Sequence, residues 1–379
     1  MSHKRIHVVF TTIFVPHLLR ELCDNAARFG HLEKTKVWVI GDRKSPPETA
    51  EVVVEVNKGG LETIYLDIPA QDEWGRRVPE FYQRIPYNNE TRRNIAYLCA
   101  LEDGCEILLC IDDDNFPTED DFIGGHLRTG SPVKEPVLSE PTGFHNVCEH
   151  LSFLPNRQIY PRGFPFHLRG TLNAASAVEP PAGGILGVTA GLWLREPDVD
   201  ATTWLNGRVI STAYTGPDLV VLAQDTWTPI NTQNTSIPRA LIPAFLCIPM
   251  GFDVPGGKIQ RYGDIWGGYF LQAVMQGLPY LVGFGRPLVD HRRNPHNYVD
   301  DLRHEFWGLI LTDWLLQLLR QEFHPTSSSI PDRVIELSVF IETTAMVKAP
   351  AWCPPEVKSF LLSTKETLKA WANACRIIS

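Results

Sequence analysis

The sequence predicts an α/β protein: a mostly parallel mixed sheet flanked by helices, followed by a helical C-terminal extension. Three features predict it. Short β-branched runs at residues 6–11, 37–40 and 64–68 alternate with segments of helical period, the pattern of strands joined by crossover helices. The run EILLCI at residues 106–111 is apolar throughout, which suits a strand covered on both faces. After Pro295 the pattern changes to long helical stretches.

The first strand, IHVVFT, leads into residues 16–29, where Leu18, Leu19, Leu22, Ala26 and Phe29 fall on one helical face. The second apolar run stops at Gly41 and Asp42, and the third stops at Pro69, both turn signals. Residues 71–88 are rich in Pro, Arg and aromatic side chains. Residues 89–101 place Ile95, Leu98 and Leu101 on one helical face and feed the strand at 106–111. Residues 124–143 and 171–190 are rich in Gly, Pro, Ser and Ala and read as loops or lids that interrupt the sheet. Residues 265–276 read as a helix, as do 299–323, 332–348 and 355–378, with turn clusters at 325–329 and 350–354. The expected division is a catalytic domain over 1–298 and a helical extension over 299–379, without an internal repeat.

With 379 residues, 44% hydrophobic and 21% charged, the composition is that of a soluble globular chain with one large core or two modest ones. The longest apolar run, residues 306–319, is broken by Asp313 and falls short of the roughly 20 residues that a membrane span needs. No membrane span is expected. The N-terminal residues carry no small-residue cleavage site, so a cytoplasmic location is expected. A formal charge of −9 argues against a nucleic-acid partner, because phosphate-backbone affinity rests on clustered Lys and Arg. The 8 cysteines form no closely spaced pair and read as reduced and mostly buried.

The most informative segment is Asp112, Asp113 and Asp114, three consecutive carboxylates where an apolar strand ends. Open α/β sheets bind ligands at the carboxyl ends of their strands. Adjacent buried carboxylates repel one another unless a cation neutralises them, and Mg²⁺ or Mn²⁺ suits hard oxygen ligands while leaving positions for phosphates. A solvated acidic turn is the ordinary alternative; the apolar approach and Arg92 and Arg93 on the preceding helix favour the cation site. P-loop, zincin and nucleophile-elbow motifs are missing, and Thr11-Thr12-Ile13-Phe14 stands where a dinucleotide fold places its glycines.

The strand, the triple aspartate and the preceding Arg-bearing helix together resemble the metal and nucleotide-sugar site of the Rossmann-like GT-A glycosyltransferases. YPRGFPFHLR at 160–169, followed by Gly191-Leu192-Trp193-Leu194 and Pro197-Asp198-Val199-Asp200-Ala201, resembles the reversibly glycosylated polypeptide family, which includes the UDP-arabinopyranose mutases. Further matching blocks are Arg261-Tyr262-Gly263-Asp264-Ile265-Trp266-Gly267-Gly268, then residues 291–295 and Phe306-Trp307-Gly308. The chain departs from the family in three places. Gly263 and Asp264 stand where the family has two adjacent acids, the loop after Arg169 is longer, and the N-terminal third is only loosely similar.

The resemblance implies a GT-A-like, nucleotide-sugar-binding catalytic domain. It matches Arg162 to the arginine that becomes reversibly glycosylated and Arg169 to a second arginine needed for activity. Chemically, a guanidinium is a poor nucleophile and a good clamp for diphosphate oxygens, so both arginines are expected to neutralise a departing UDP. Asp264 matches either a base facing an acceptor or a group that binds sugar hydroxyls; a helix N-cap is an equally ordinary role. His291 matches a family histidine that would complete either the metal site, beside Asp112 and Asp114 around Mn²⁺ or Mg²⁺, or the diphosphate site, where it would stabilise the departing UDP; a structural role is the ordinary alternative for a lone His. Thr11, Asp42, Arg93 and Asp113 complete the expected nucleotide site, with Asp42 on base or ribose, though a turn role also suits an Asp in that context. Trp193, Trp266 and Trp307 are candidates for sugar stacking or for the core.

The first expectation is a metal-dependent glycosyltransferase that moves sugar from a UDP-sugar donor to a small-molecule or carbohydrate acceptor, with residues 170–190 building the acceptor pocket. The alternative is a UDP-sugar mutase interconverting pyranose and furanose forms, favoured by the presence of both Arg162 and Arg169. A self-glycosylating carrier or a non-catalytic nucleotide-sugar scaffold is a third outcome. A homo-oligomer is left open.

Overall fold

The computed structural model describes residues 5–379. Its sheet begins with four parallel strands, β1 (Ile6–Thr11), β2 (Thr35–Ile40), β3 (Glu62–Leu66) and β4 (Ile107–Ile111), in the order β3-β2-β1-β4. β2 and β4 are buried along their whole length, which suits the unbroken apolar sequence of β4 and the apolar run at 37–40 of β2 in strands covered on both faces. The chain proceeds from β1 outward to β3 and then returns to the other side of β1 for β4. This reversal leaves a crevice at the carboxyl ends of β1 and β4, the usual ligand position in such sheets.

Beyond β4 the sheet becomes mixed. Strand Asn234–Pro238 runs antiparallel to β4 and to strand Ile185–Arg195, and strand Tyr280–His291 runs parallel to Ile185–Arg195. The α/β, GT-A-like architecture expected from the sequence is therefore present, extended by short edge strands Val137–Ser139 and Ser176–Val178.

Two local expectations fail. Residues 171–190 are not simply loop, because residues 185–190 open the 11-residue strand Ile185–Arg195. Gly187 is there for packing: a Cβ on it would strike the Tyr280 side chain. Residues 71–88 also hold more structure than their composition suggests. Helix Ile68–Gly75 is started by Asp67, whose carboxylate accepts from Ala70 N at 2.9 Å, with Pro69 in its first turn, and helix Pro79–Tyr82 follows. Both are too short to show a period.

The helices after residue 298 share one hydrophobic cluster with the sheet. Trp371, with no exposed surface, packs on Phe81 with ring centroids 5.0 Å apart and donates from Nε1 to Pro243 O at 2.8 Å. Trp266 on helix Gly263–Met275 donates to Thr312 Oγ1 of helix Tyr298–Glu322 at 2.9 Å. Among the described residues no helix is long and apolar enough to cross a membrane.

Candidate active site

Two adjoining cavities open at the carboxyl ends of β1, β2 and β4. The larger, about 430 Å³, is lined by Thr11, Thr12 and Asp42 at the strand ends and by Asp113. The smaller, about 260 Å³, is lined by Arg162, Asp198, Arg261, Asp264, His291 and Arg293. Arg93, Asp112 and Asp114 belong to both walls.

The three aspartates turn away from one another, and each finds its own partner. Asp112 Oδ1 accepts from Arg93 Nη2 at 2.7 Å. Asp113 Oδ2 accepts from Thr12 Oγ1 at 2.6 Å. Asp114 Oδ2 lies 3.5 Å from His291 Nε2. Burial raises the Asp112 carboxyl above its ordinary range despite the Arg93 charge, and pushes Asp113 up to about 7 against the opposing Thr12 hydrogen bond. Burial also works to raise Asp114, but the His291 hydrogen bond and charge outweigh it and leave that carboxyl low. Repulsion within the triplet is thus relieved by protein partners, and not by a cation alone as the bare sequence suggests.

The residue types fit a divalent cation. His291 Nδ1 lies 2.5 Å from Glu196 O and donates to it, which fixes the ring so that Nε2 faces Asp114, a common arrangement for a ligating histidine. Asp112 is turned to Arg93, and among the described residues no three acidic, Cys or His side chains converge on one point.

Arg162 lies between two carboxylates. Its Nε and Nη2 donate to Asp198 Oδ1 and Oδ2 at 2.9 and 3.2 Å. Its Nη1 and Nη2 donate to Asp264 Oδ1 and Oδ2 at 3.1 and 2.9 Å, and Nη1 also donates to Arg261 O. Burial works against its charge, but Asp198 and Asp264 prevail and hold the guanidinium firmly protonated. Gly163, at φ +84°, lets the chain turn there; a Cβ would strike Ile265. Asp264 is not an N-cap: it sits in the first turn of helix Gly263–Met275, after Tyr262, and its carboxylate faces Arg162.

The structure therefore gathers Arg93, Asp112, Asp114, Arg162, Asp264 and His291 around one cavity, and Thr11, Asp42 and Asp113 around its neighbour. Asp42 also serves its turn, accepting from Arg43 N at 2.7 Å and Asn89 N at 3.1 Å. Arg169 borders neither cavity; it pairs with Asp200 and lies over the rings of Tyr160 and Phe166. Residues 171–184 border neither, and Trp193, Trp266 and Trp307 are buried core. Sequence reasoning assigned no role to Asp198, Arg261 or Arg293. The run His291-Arg292-Arg293 held a signal for the last: Arg292 turns outward to Glu21, whereas Arg293 packs over Trp204 on the cavity wall.

The sequence profile described as reversibly glycosylated polypeptide matches residues 61–354. UDP-arabinopyranose mutase 2 of Arabidopsis thaliana is 29% identical over 273 residues, 70% of this chain and 66% of that protein. Probable UDP-arabinopyranose mutase 1 of Pisum sativum is 26% identical over 299 residues, 76% and 72% of the two chains. Probable glycosyltransferase STELLO1 of Arabidopsis thaliana is 26% identical over 278 residues, 66% of this chain but 35% of that protein. Among solved structures, a mannosyltransferase from Pyrobaculum calidifontis in complex with GDP-Man and Mn²⁺ is a loose likeness, 13% identical with a TM-score of 0.39, covering 100% of this chain and 87% of that one. On the match over residues 61–354, the chain belongs to the reversibly glycosylated polypeptide family.

Proposed function

We propose that the protein is a UDP-sugar mutase. The anomeric C–O bond to the diphosphate breaks with its electron pair leaving on UDP, a different sugar hydroxyl bonds to the anomeric carbon, the bond from that carbon to the former ring oxygen breaks with its electron pair going to that oxygen, and UDP returns to the anomeric carbon. The proton of the hydroxyl that becomes the ring oxygen passes to the former ring oxygen, so mass is unchanged. The observation that carries this reading is the meeting of the two cavities at Asp112 and Asp114, with strand ends on one side and arginines on the other.

A nucleoside seated against Thr11 and Asp42, with Asp113 nearby, brings its diphosphate to the shared wall and the sugar to Arg162 and Asp264. Arg93, Arg162 and Arg293 then stabilise the charge that develops on UDP, and Asp198 and Asp264 accept from sugar hydroxyls. Asp264 is the group placed to move the ring proton. Arg169 serves at one remove, by holding Asp200. A divalent ion, Mn²⁺ or Mg²⁺, on Asp112, Asp114 and His291 would neutralise the diphosphate. All 8 cysteines are free and all but Cys353 are buried, which suits the reducing cytoplasm.

Two observations favour isomerisation over transfer to a separate acceptor. The segment expected to wall an acceptor pocket borders neither cavity, and the similar proteins include UDP-arabinopyranose mutases. Transfer is the second reading, supported by the similarity to STELLO1. The test is incubation with a panel of UDP-sugars, with and without Mn²⁺, followed by chromatography of the nucleotides and mass spectrometry of the intact protein. A UDP-sugar isomer of unchanged mass is expected. UDP release that requires an added acceptor would support transfer, a stable protein adduct a self-glycosylated carrier, and no conversion of any kind would overturn both enzymatic readings.

A further inference from the structure

Two of the three supports that grip Arg162, the Arg261 carbonyl and the segment that carries Asp198, lead to one buried carboxylate from the C-terminal helical extension. Glu305, with no exposed surface, lies in helix Tyr298–Glu322. Its Oε1 accepts from Arg261 Nε at 2.9 Å, and its Oε2 accepts from Ala201 N at 2.7 Å. Arg261 has φ +62°, a backbone region that non-glycine residues seldom occupy, and in that conformation its carbonyl oxygen accepts from Arg162 Nη1. Asp301, one helical turn before Glu305, lies 3.3 Å from the Arg261 guanidinium. Ala201 opens the short helix Ala201–Leu205, three residues after Asp198, which holds Arg162 from the other side.

We infer that Glu305 is a positioning residue for Arg162: it fixes the Arg261 backbone and the 198–201 segment together, and so sets where the Arg162 guanidinium stands between Asp198 and Asp264. This rests on the reading of Arg162 as a UDP-sugar clamp. A buried carboxylate that served only to dock the helix would be replaceable by apolar packing. Here its two oxygens instead divide between the two arms of the clamp, so removing its charge frees both arms while leaving the cavity walls in place. The extension after residue 298 is then part of the site's construction.

The test is Glu305→Gln in the full chain, read by kcat, KM, UDP affinity and the Nε–H resonance of Arg162, assigned by its loss in Arg162→Lys. The amide keeps the side chain's shape but turns an N–H group toward one of the two donors. The expected result is a fall in kcat of roughly 10–100-fold, the size of loss that a small misplacement of a reacting group causes. UDP affinity should stay near wild type, unfolding should remain cooperative at a lower midpoint because a buried ion pair is weakened, and the Arg162 Nε–H should lose its protection from exchange. Glu305→Asp, which keeps the charge but is one methylene shorter, should fall between. An unchanged kcat with an unchanged Arg162 resonance would overturn the inference. So would parallel losses of kcat, UDP affinity and cooperative unfolding in both variants, which would make Glu305 a structural ion pair. If the wild type converts no UDP-sugar, the reading of the site fails, yet protection of the Arg162 Nε–H in wild type and its loss in the variants still decides the positioning.

Discussion

Arg162 and Asp264, 102 residues apart in the chain, face each other across two hydrogen bonds of 2.9 and 3.1 Å on the wall of a cavity that also holds Asp112 and Asp114. The pair joins an arginine held charged to a carboxylate whose two oxygens both accept from it. Those are the states needed to hold a departing diphosphate and to orient sugar hydroxyls.

Asp264→Asn should separate the two functions of this pair. Asp198 still neutralises Arg162, so the fold survives with a loss of roughly 1–3 kcal/mol, the cost of weakening one buried charged hydrogen-bond partner. Turnover of a UDP-sugar should fall at least about 100-fold while UDP binding changes little. Calorimetric UDP titration beside a rate assay checks this; equal losses in both would assign Asp264 to nucleotide binding.

Removal of divalent ions with EDTA should abolish turnover, and Mn²⁺ or Mg²⁺ should restore it. Asp112→Asn and Asp114→Asn should each lower metal-dependent turnover by at least about 100-fold. Full activity of either variant, or of the chelated enzyme, would remove the metal from the account.

Acid should destabilise the protein through its buried histidines. His126, fully buried, contacts Ser236 Oγ at 2.8 Å and Asn234 Oδ1 at 2.9 Å, and burial pushes its pKa down from 6.5 to about 3. In the window between those values the unfolded chain binds the proton and the folded chain does not. Stability is therefore fully present above pH 6.5 and falls as pH drops toward 3, by about 1.4 kcal/mol per pH unit for this one group. Urea unfolding at pH 7.5 and 5.5 should show a steeper loss for the wild type than for His126→Gln; equal losses would contradict it.

Trp371→Ala should cost about 3–5 kcal/mol, because it empties a fully buried indole site against Phe81 and removes the bond to Pro243 O. A single cooperative unfolding transition at lower temperature is expected. Two separate transitions would show that the C-terminal helices fold as an independent unit.

What could be read from the sequence was whatever has a local signal. β1 and β4 announce themselves as apolar runs, and the triple aspartate is legible because it follows β4 directly. Arg162 and Asp264 were found as single residues in motif-like blocks, but not as a pair, since nothing local couples positions 102 apart. Asp198 and Arg261 stand in motif-like blocks that do not show their partners: Asp198 meets Arg162 from 36 residues away, and Arg261 and Glu305 meet only when helix Tyr298–Glu322 docks. Residues 185–190 read as loop because they follow a stretch rich in Gly, Pro, Ser and Ala, whereas Gly187 within them is small to admit the Tyr280 side chain. Arg169 is a motif position whose side chain pairs with Asp200 and borders neither cavity.

The most direct test is positional isotope exchange. UDP-sugar labelled with ¹⁸O in the bridge between the anomeric carbon and the β-phosphate is incubated with enzyme and Mn²⁺, without acceptor, and followed by ³¹P NMR. The account predicts that the label moves into non-bridging β-phosphate positions in step with formation of the ring isomer, and that both processes are lost together in Asp264→Asn. Isomer formation with the label fixed in the bridge would contradict cleavage of the anomeric bond, and retention of both label and substrate would contradict the mutase itself.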